Sequence, residues 1–128
     1  MLAHALRAFR APGLAAWLLA LGWAAVIFGF SSVPSLGSGL GTWDLVLRKL
    51  AHVAEYAALG LLLLRACGAI GWAWTLGVAY AATDELHQSF VEGRRGVPLD
   101  VAIDAVGVAL GIVALILFRA SPHRGGRP

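Results

Sequence analysis

Between Pro12 and Phe30 the chain runs 19 residues without an ionisable side chain. About 20 apolar residues are what an α-helix needs to cross the hydrocarbon of a bilayer. Three further apolar stretches follow, at about 48–66, 69–90 and 100–118, with their charges gathered towards the ends. In lipid every backbone polar group must be satisfied internally, which leaves helices or closed barrels, and runs of this length are helical. The sequence therefore predicts an all-α membrane protein, a compact bundle of four transmembrane helices over 12–118. A basic head at 1–11 and a basic tail at 119–128 flank it. The 13 % of charged residues, well below the roughly 25 % of soluble domains, agrees with that class.

A basic head followed by an apolar run also resembles a secretory signal. The run is too long for one, and Ser31-Ser32-Val33-Pro34 offers no small-x-small cleavage site, so the first helix is expected to be retained. Gly22 and Gly29 share one face of it and predict close helix contact. The connection that follows contains Gly37-Ser38-Gly39-Leu40-Gly41, but no strand precedes it and no GK[ST] follows. It reads as a flexible link and not as a phosphate loop. A single cysteine, Cys67, excludes a disulfide framework and a CxxC metal site. The net charge of +3 comes without a basic run interleaved with aromatics, so a nucleic-acid partner has no support.

The polar residues of the apolar segments are few and clustered. Asp84-Glu85-Leu86-His87-Gln88-Ser89-Phe90 closes the third segment, and intramembrane charge needs partners and marks a working site. At about 100° per residue, Tyr80, Asp84, His87 and Gln88 share a face, with Glu85 beside it. On the second helix His52, Glu55, Tyr56 and Leu59 share a face, with Lys49 at its edge. Asp100, Asp104, Gly107 and Gly111 line one face of the fourth, acidic in its outer half and small-xxx-small in its inner half. Trp72 and Trp74 fit an interfacial belt, whereas Asp44 and Glu92 read as loop charges outside the cluster.

Four spans put both termini on one side, with Arg7, Arg10, Arg65, Arg119, Arg124 and Arg127 and no acid. All seven acids fall on the other side, together with Arg48, Lys49, Arg94 and Arg95. By the positive-inside rule the termini are cytoplasmic. His52, Glu55, Asp84, His87, Asp100 and Asp104 then lie near the outer ends of three helices, which predicts a shared polar pocket open to the outer leaflet.

These residues resemble the VanZ-like family, small bacterial membrane proteins named for one linked to teicoplanin resistance. The matching pieces are Lys49-x-x-His52-x-x-x-Tyr56-x-x-Leu59 and Tyr80-x-x-x-Asp84-Glu85-x-His87-Gln88-x-Phe90. They continue through Gly93-Arg94 to Asp100-x-x-x-Asp104-x-x-Gly107-x-x-x-Gly111, covering about Leu47 to Leu117. Many relatives carry Asn at the position of Asp104, and an acid commonly stands where this chain has Arg48. The resemblance implies a multi-pass protein of the bacterial cytoplasmic membrane with a role at the cell envelope, and no particular reaction.

Two functions fit the cluster. An enzyme acting on a lipid-linked or cell-wall substrate would use Asp84, Glu85 and His87, with His52 and Glu55, for acid/base work. Lys49, Arg94, Tyr56, Tyr80, Gln88, Asp100 and Asp104 would bind substrate, with a tyrosine supporting an oxyanion. A binding module would hold a lipid headgroup or peptidoglycan precursor without chemistry; a third reading makes the ring purely structural. A divalent metal is a further candidate, on His52, Glu55, Asp84 and His87, whose i, i+3 spacing resembles that of di-metal bundles. The orientation is open to direct test. Alkaline phosphatase fused to the C-terminus is expected to be inactive, and a fluorescent protein fused there to fluoresce; active phosphatase would reverse the topology.

Overall fold

The computed structural model describes residues 13–34, 39 and 41–121. The basic head, most of the glycine-rich link and the tail from residue 122 lie outside the described residues. Four helices account for nearly all of the rest: α1 (Leu14–Ser31), α2 (Thr42–Cys67), α3 (Ile70–Gln88) and α4 (Pro98–Ala120). There is no strand among the described residues.

Helix α2 begins at Thr42, six residues before the Arg48 expected from sequence. The glycines and serines ahead of it suggest a longer loop, but Trp43, Leu45, Val46 and Leu47 carry the helix on. Asp44 sits in its first turn, where the helix dipole favours negative charge, and pairs with Arg48 one turn along at 2.8 Å. The helix ends at Gly68, whose left-handed backbone (φ 67°) lets its N–H reach the carbonyl of Leu64. Helix α3 stops at Gln88, two residues short of the expected end, and Pro98 opens α4 as a first-turn proline.

Helices α2 and α4 form the closest pair. A Cβ on Gly111 would lie 1.8 Å from the carbonyl oxygen of Ala57, one on Gly107 2.6 Å from that of Val53, and one on Gly60 2.4 Å from that of Val108. The small-residue strip of α4 thus packs as its sequence suggests, and Gly60 is the counterpart on α2 that sequence reading passed over. Gly22 and Gly29 on α1 behave differently: nothing lies within 4 Å of a Cβ there, so the close contact expected at them is absent among the described residues.

The interior is small or polar. Ala16, Ala20, Ala66, Ala73 and Ala81 are buried with Tyr56, Leu59, Leu64 and Val108, while Leu18, Leu110 and Phe118 point outward. That is the arrangement of helices packed by close approach in an apolar solvent. Helices α1, α2 and α4 are long and apolar enough to cross a membrane. The expected fourth span, α3, is not in that set. Its 19 residues would reach, but Thr83, Asp84, Glu85, His87 and Gln88 lower the apolarity of its second half.

Gly111→Ala is expected to destabilise the bundle by about 1–3 kcal/mol, because backbone and not a flexible side chain blocks the new methyl. Gly22→Ala is expected to stay within about 0.5 kcal/mol of the parent. Unfolding of both variants in mild detergent would check the contrast.

Candidate functional site

The C-terminal end of α3 and the N-terminal halves of α2 and α4 meet at one end of the bundle, beside the C-terminus of α1. A pocket of about 410 Å³ opens there, lined by Lys49 and His52 of α2, Gln88 of α3, Arg94 and Arg95 of the α3–α4 loop, and Asp100 and Asp104 of α4, among others. Asp44 lines it as well, because the early start of α2 brings it onto the helix. This corrects its reading as a loop charge remote from the site.

Behind the pocket lies a buried hydrogen-bond network centred on Asp84. Its Oδ2 accepts from Ser31 Oγ at 2.9 Å, Tyr56 Oη at 3.0 Å and Gln88 Nε2 at 3.1 Å. Gln88 Nε2 also donates to Ser31 Oγ at 3.2 Å. Three donors on one carboxylate oxygen stabilise its charge where water is excluded. Among the described residues Oδ1 of the same group is buried without a hydrogen-bond partner, as are both oxygens of Asp104. His52 stands next to Asp104, Nδ1 to Oδ1 at 3.3 Å, close enough for charge attraction but outside hydrogen-bond geometry. His52, Asp84 and Asp104 each offer one ligating atom, and all three atoms lie within 4.8 Å of one another.

The other expected residues are placed differently. His87 points towards α1: its ring stacks on Phe28 with centroids 4.3 Å apart, and Nε2 lies 3.0 Å from Ser32 Oγ. Glu85 is buried on another face, where Oε1 accepts the backbone N–H of Val97 at 2.6 Å and steadies the start of α4. Asp84, Glu85 and His87 therefore meet different partners: Glu85 diverges from Asp84 by about 100° around the helix, and His87, on the same face as Asp84, is held by Phe28 and Ser32 of α1. Glu55 is half-buried one turn beyond His52, outside the three-residue cluster and the pocket lining. Of the four expected metal candidates the structure gathers His52 and Asp84; in place of Glu55 and His87 it supplies Asp104.

At the rim Lys49 pairs with Asp100 across α2 and α4. Arg94, a lining residue, also reaches the C-terminus of α1, donating from Nε to the Val33 carbonyl at 2.9 Å and from Nη2 to that of Phe30 at 3.2 Å. Arg95, exposed at the pocket edge, has no ion pair or hydrogen bond among the described residues. Tyr80 bonds the Ala24 carbonyl at 2.5 Å and Trp23 Nε1 that of Glu55 at 2.8 Å, so both fasten α1 to the bundle. Ser31, Ser32 and Asp44 are the residues sequence reading missed. The signal available for them was depth: each is a polar residue at the same end as the acids.

The fold and site define a small helical membrane protein with a carboxylate–imidazole pocket at one end of its bundle. The VanZ/LLP1 family model matches residues 16–119, and the chain belongs to that family. No curated protein and no solved structure matches it.

Tyr56→Phe removes one of three donors to a buried carboxylate and leaves the ring in place. It is expected to cost about 1.5–3 kcal/mol, the range for hydrogen bonds to charged groups. Thermal unfolding in detergent would measure it. An unchanged midpoint would mean that Asp84 does not need this donor.

Proposed function

We propose that the chain is a cell-envelope protein of the bacterial cytoplasmic membrane, crossing it four times, whose pocket faces the extracytoplasmic side. There it holds the anionic head of a lipid-linked or cell-wall precursor. The observation that carries this reading is the pocket's position, at the end of three membrane-length helices, with the exposed guanidinium of Arg95 at its edge. A phosphate-bearing head entering between helix ends keeps its chains in lipid and meets a planar fork of donors. The burial of Asp84, Glu85 and Gln88 supports a fourth span, since α3 turns its polar residues into the bundle, where a membrane helix must keep them. Among the described residues the opposite end carries Arg65 and Arg119 and no acid, which favours that end as cytoplasmic.

A specific observation also favours chemistry in the same pocket. His52 lines it with the buried carboxylate of Asp104 3.3 Å away, a negative charge beside an imidazole placed to take up a proton. Of the acid/base candidates Asp84, Glu85, His87, His52 and Glu55, this reading keeps His52, with Asp104 as its charge partner. A contribution to glycopeptide (teicoplanin) resistance, implied by the family resemblance, would follow from sequestering or altering such a precursor.

Arg95→Gln is expected to weaken binding to vesicles containing phosphatidylglycerol about tenfold or less, with no change in thermal stability. Arg94→Gln is expected to lower both, because Arg94 also holds the end of α1. Equal binding by the Arg95 variant and the parent would remove the headgroup reading. Teicoplanin susceptibility of cells expressing each variant gives the envelope readout.

A further inference from the structure

We infer that His52, Asp84 and Asp104 form a binding site for one divalent metal ion of the zinc or manganese class. Their ligating atoms lie within 4.8 Å of one another and come from three different helices. Clustered acids alone would not carry this. The second observation is what the carboxylates lack. Asp104 is 1 % exposed and Asp84 3 % exposed, yet both oxygens of the first and Oδ1 of the second have no hydrogen-bond partner among the described residues. The donors nearby are spent on Asp84 Oδ2, which leaves Oδ1 available to a different kind of partner. Buried polar atoms in folded proteins are satisfied almost without exception, and a bound ion is one way in which such oxygens find a partner.

The spacing of His52 and Asp104 fits the same account. At 3.3 Å, Nδ1 and Oδ1 are in contact without hydrogen-bond geometry. Metal–ligand bonds of about 2.1 Å at tetrahedral angles put neighbouring ligand atoms about 3.4 Å apart. Charge fits as well. Two carboxylates against one divalent cation are neutral, which offsets the cost of holding two like charges in a low-dielectric interior. One imidazole with two carboxylates suits zinc and manganese better than the all-oxygen shells of calcium or magnesium. The hydrogen bonds of Ser31, Tyr56 and Gln88 to Asp84 are the outer shell that orients a ligating carboxylate. His52 and Asp104 line the open pocket, so an ion has a path in and keeps positions for water or an anionic head. That last role rests on the headgroup reading above; binding of the ion does not.

The test uses the full chain in mild detergent, stripped with chelator and titrated separately with Zn²⁺ and Mn²⁺, with bound metal read by elemental analysis and native mass spectrometry. One ion per chain is expected for the parent and for His87→Gln, whose side chain faces α1. At least tenfold weaker binding is expected for His52→Gln and Asp104→Asn. If Asp104→Asn does not fold, the half-buried His52 carries the comparison. No uptake by the parent, or equal uptake by His52→Gln, overturns the site and leaves the two carboxylates to protons. A chain that binds the ion but fails the vesicle assay keeps this inference and loses the headgroup one.

Discussion

The close approach of α2 and α4 is the contact on which the rest of the molecule depends. Gly107 and Gly111 lie against the backbone of Val53 and Ala57, and Gly60 against that of Val108, at distances no side chain would allow. Without a hydrophobic drive between helices in lipid, such backbone contact supplies the packing that holds a bundle together. It also sets the chemistry. Gly107 is one turn beyond Asp104, and Val53 directly follows His52, so the contact that seats the helices brings the imidazole to the carboxylate. Lys49 and Asp100 meet one turn further out by the same register.

Helix α3 completes the site by turning its polar residues inward in different directions. Asp84 and Gln88, one turn apart, face Tyr56 of α2 and Ser31 of α1. Glu85 reaches the start of α4, and His87 rests on Phe28 of α1. The polar groups of α3 thus tie it to all three other helices, most of them to α1. The one helix outside the set apolar enough to cross a membrane is consequently the one most held by hydrogen bonds to its neighbours among the described residues. The cost of leaving polar groups in hydrocarbon explains why none of these points outward where the apolar surface is widest.

Helix α1 belongs to the site although its segment carries no charge. Its contribution is its C-terminus: Ser31 and Ser32 contact Asp84 and His87, and the carbonyls of Phe30 and Val33 accept from Arg94. Arg94 therefore satisfies groups that a helix end leaves without partners and meets the negative end of the dipole. A basic residue of the pocket lining is in this way structural, while the neighbouring Arg95 is available to a ligand.

The sequence by itself determined the all-helical class, the four helices and the end of the bundle at which the polar residues gather. Hydrocarbon thickness fixes how long an apolar run must be, and the cost of buried charge confines the exceptions to one end. It also identified Gly107 and Gly111 as packing positions and carried the family resemblance that residues 16–119 bear out. It misjudged the start of α2, because turn-forming residues before Thr42 hide a helix whose first turn is Thr-Trp-Asp-Leu. Which polar residues touch was decided only by the tertiary structure. Periodicity tells which residues share a face of one helix, but not which neighbouring helix that face meets. For that reason Asp84, Glu85 and His87, neighbours in the chain, part company in space, while His52 and Asp104, 52 residues apart, come together.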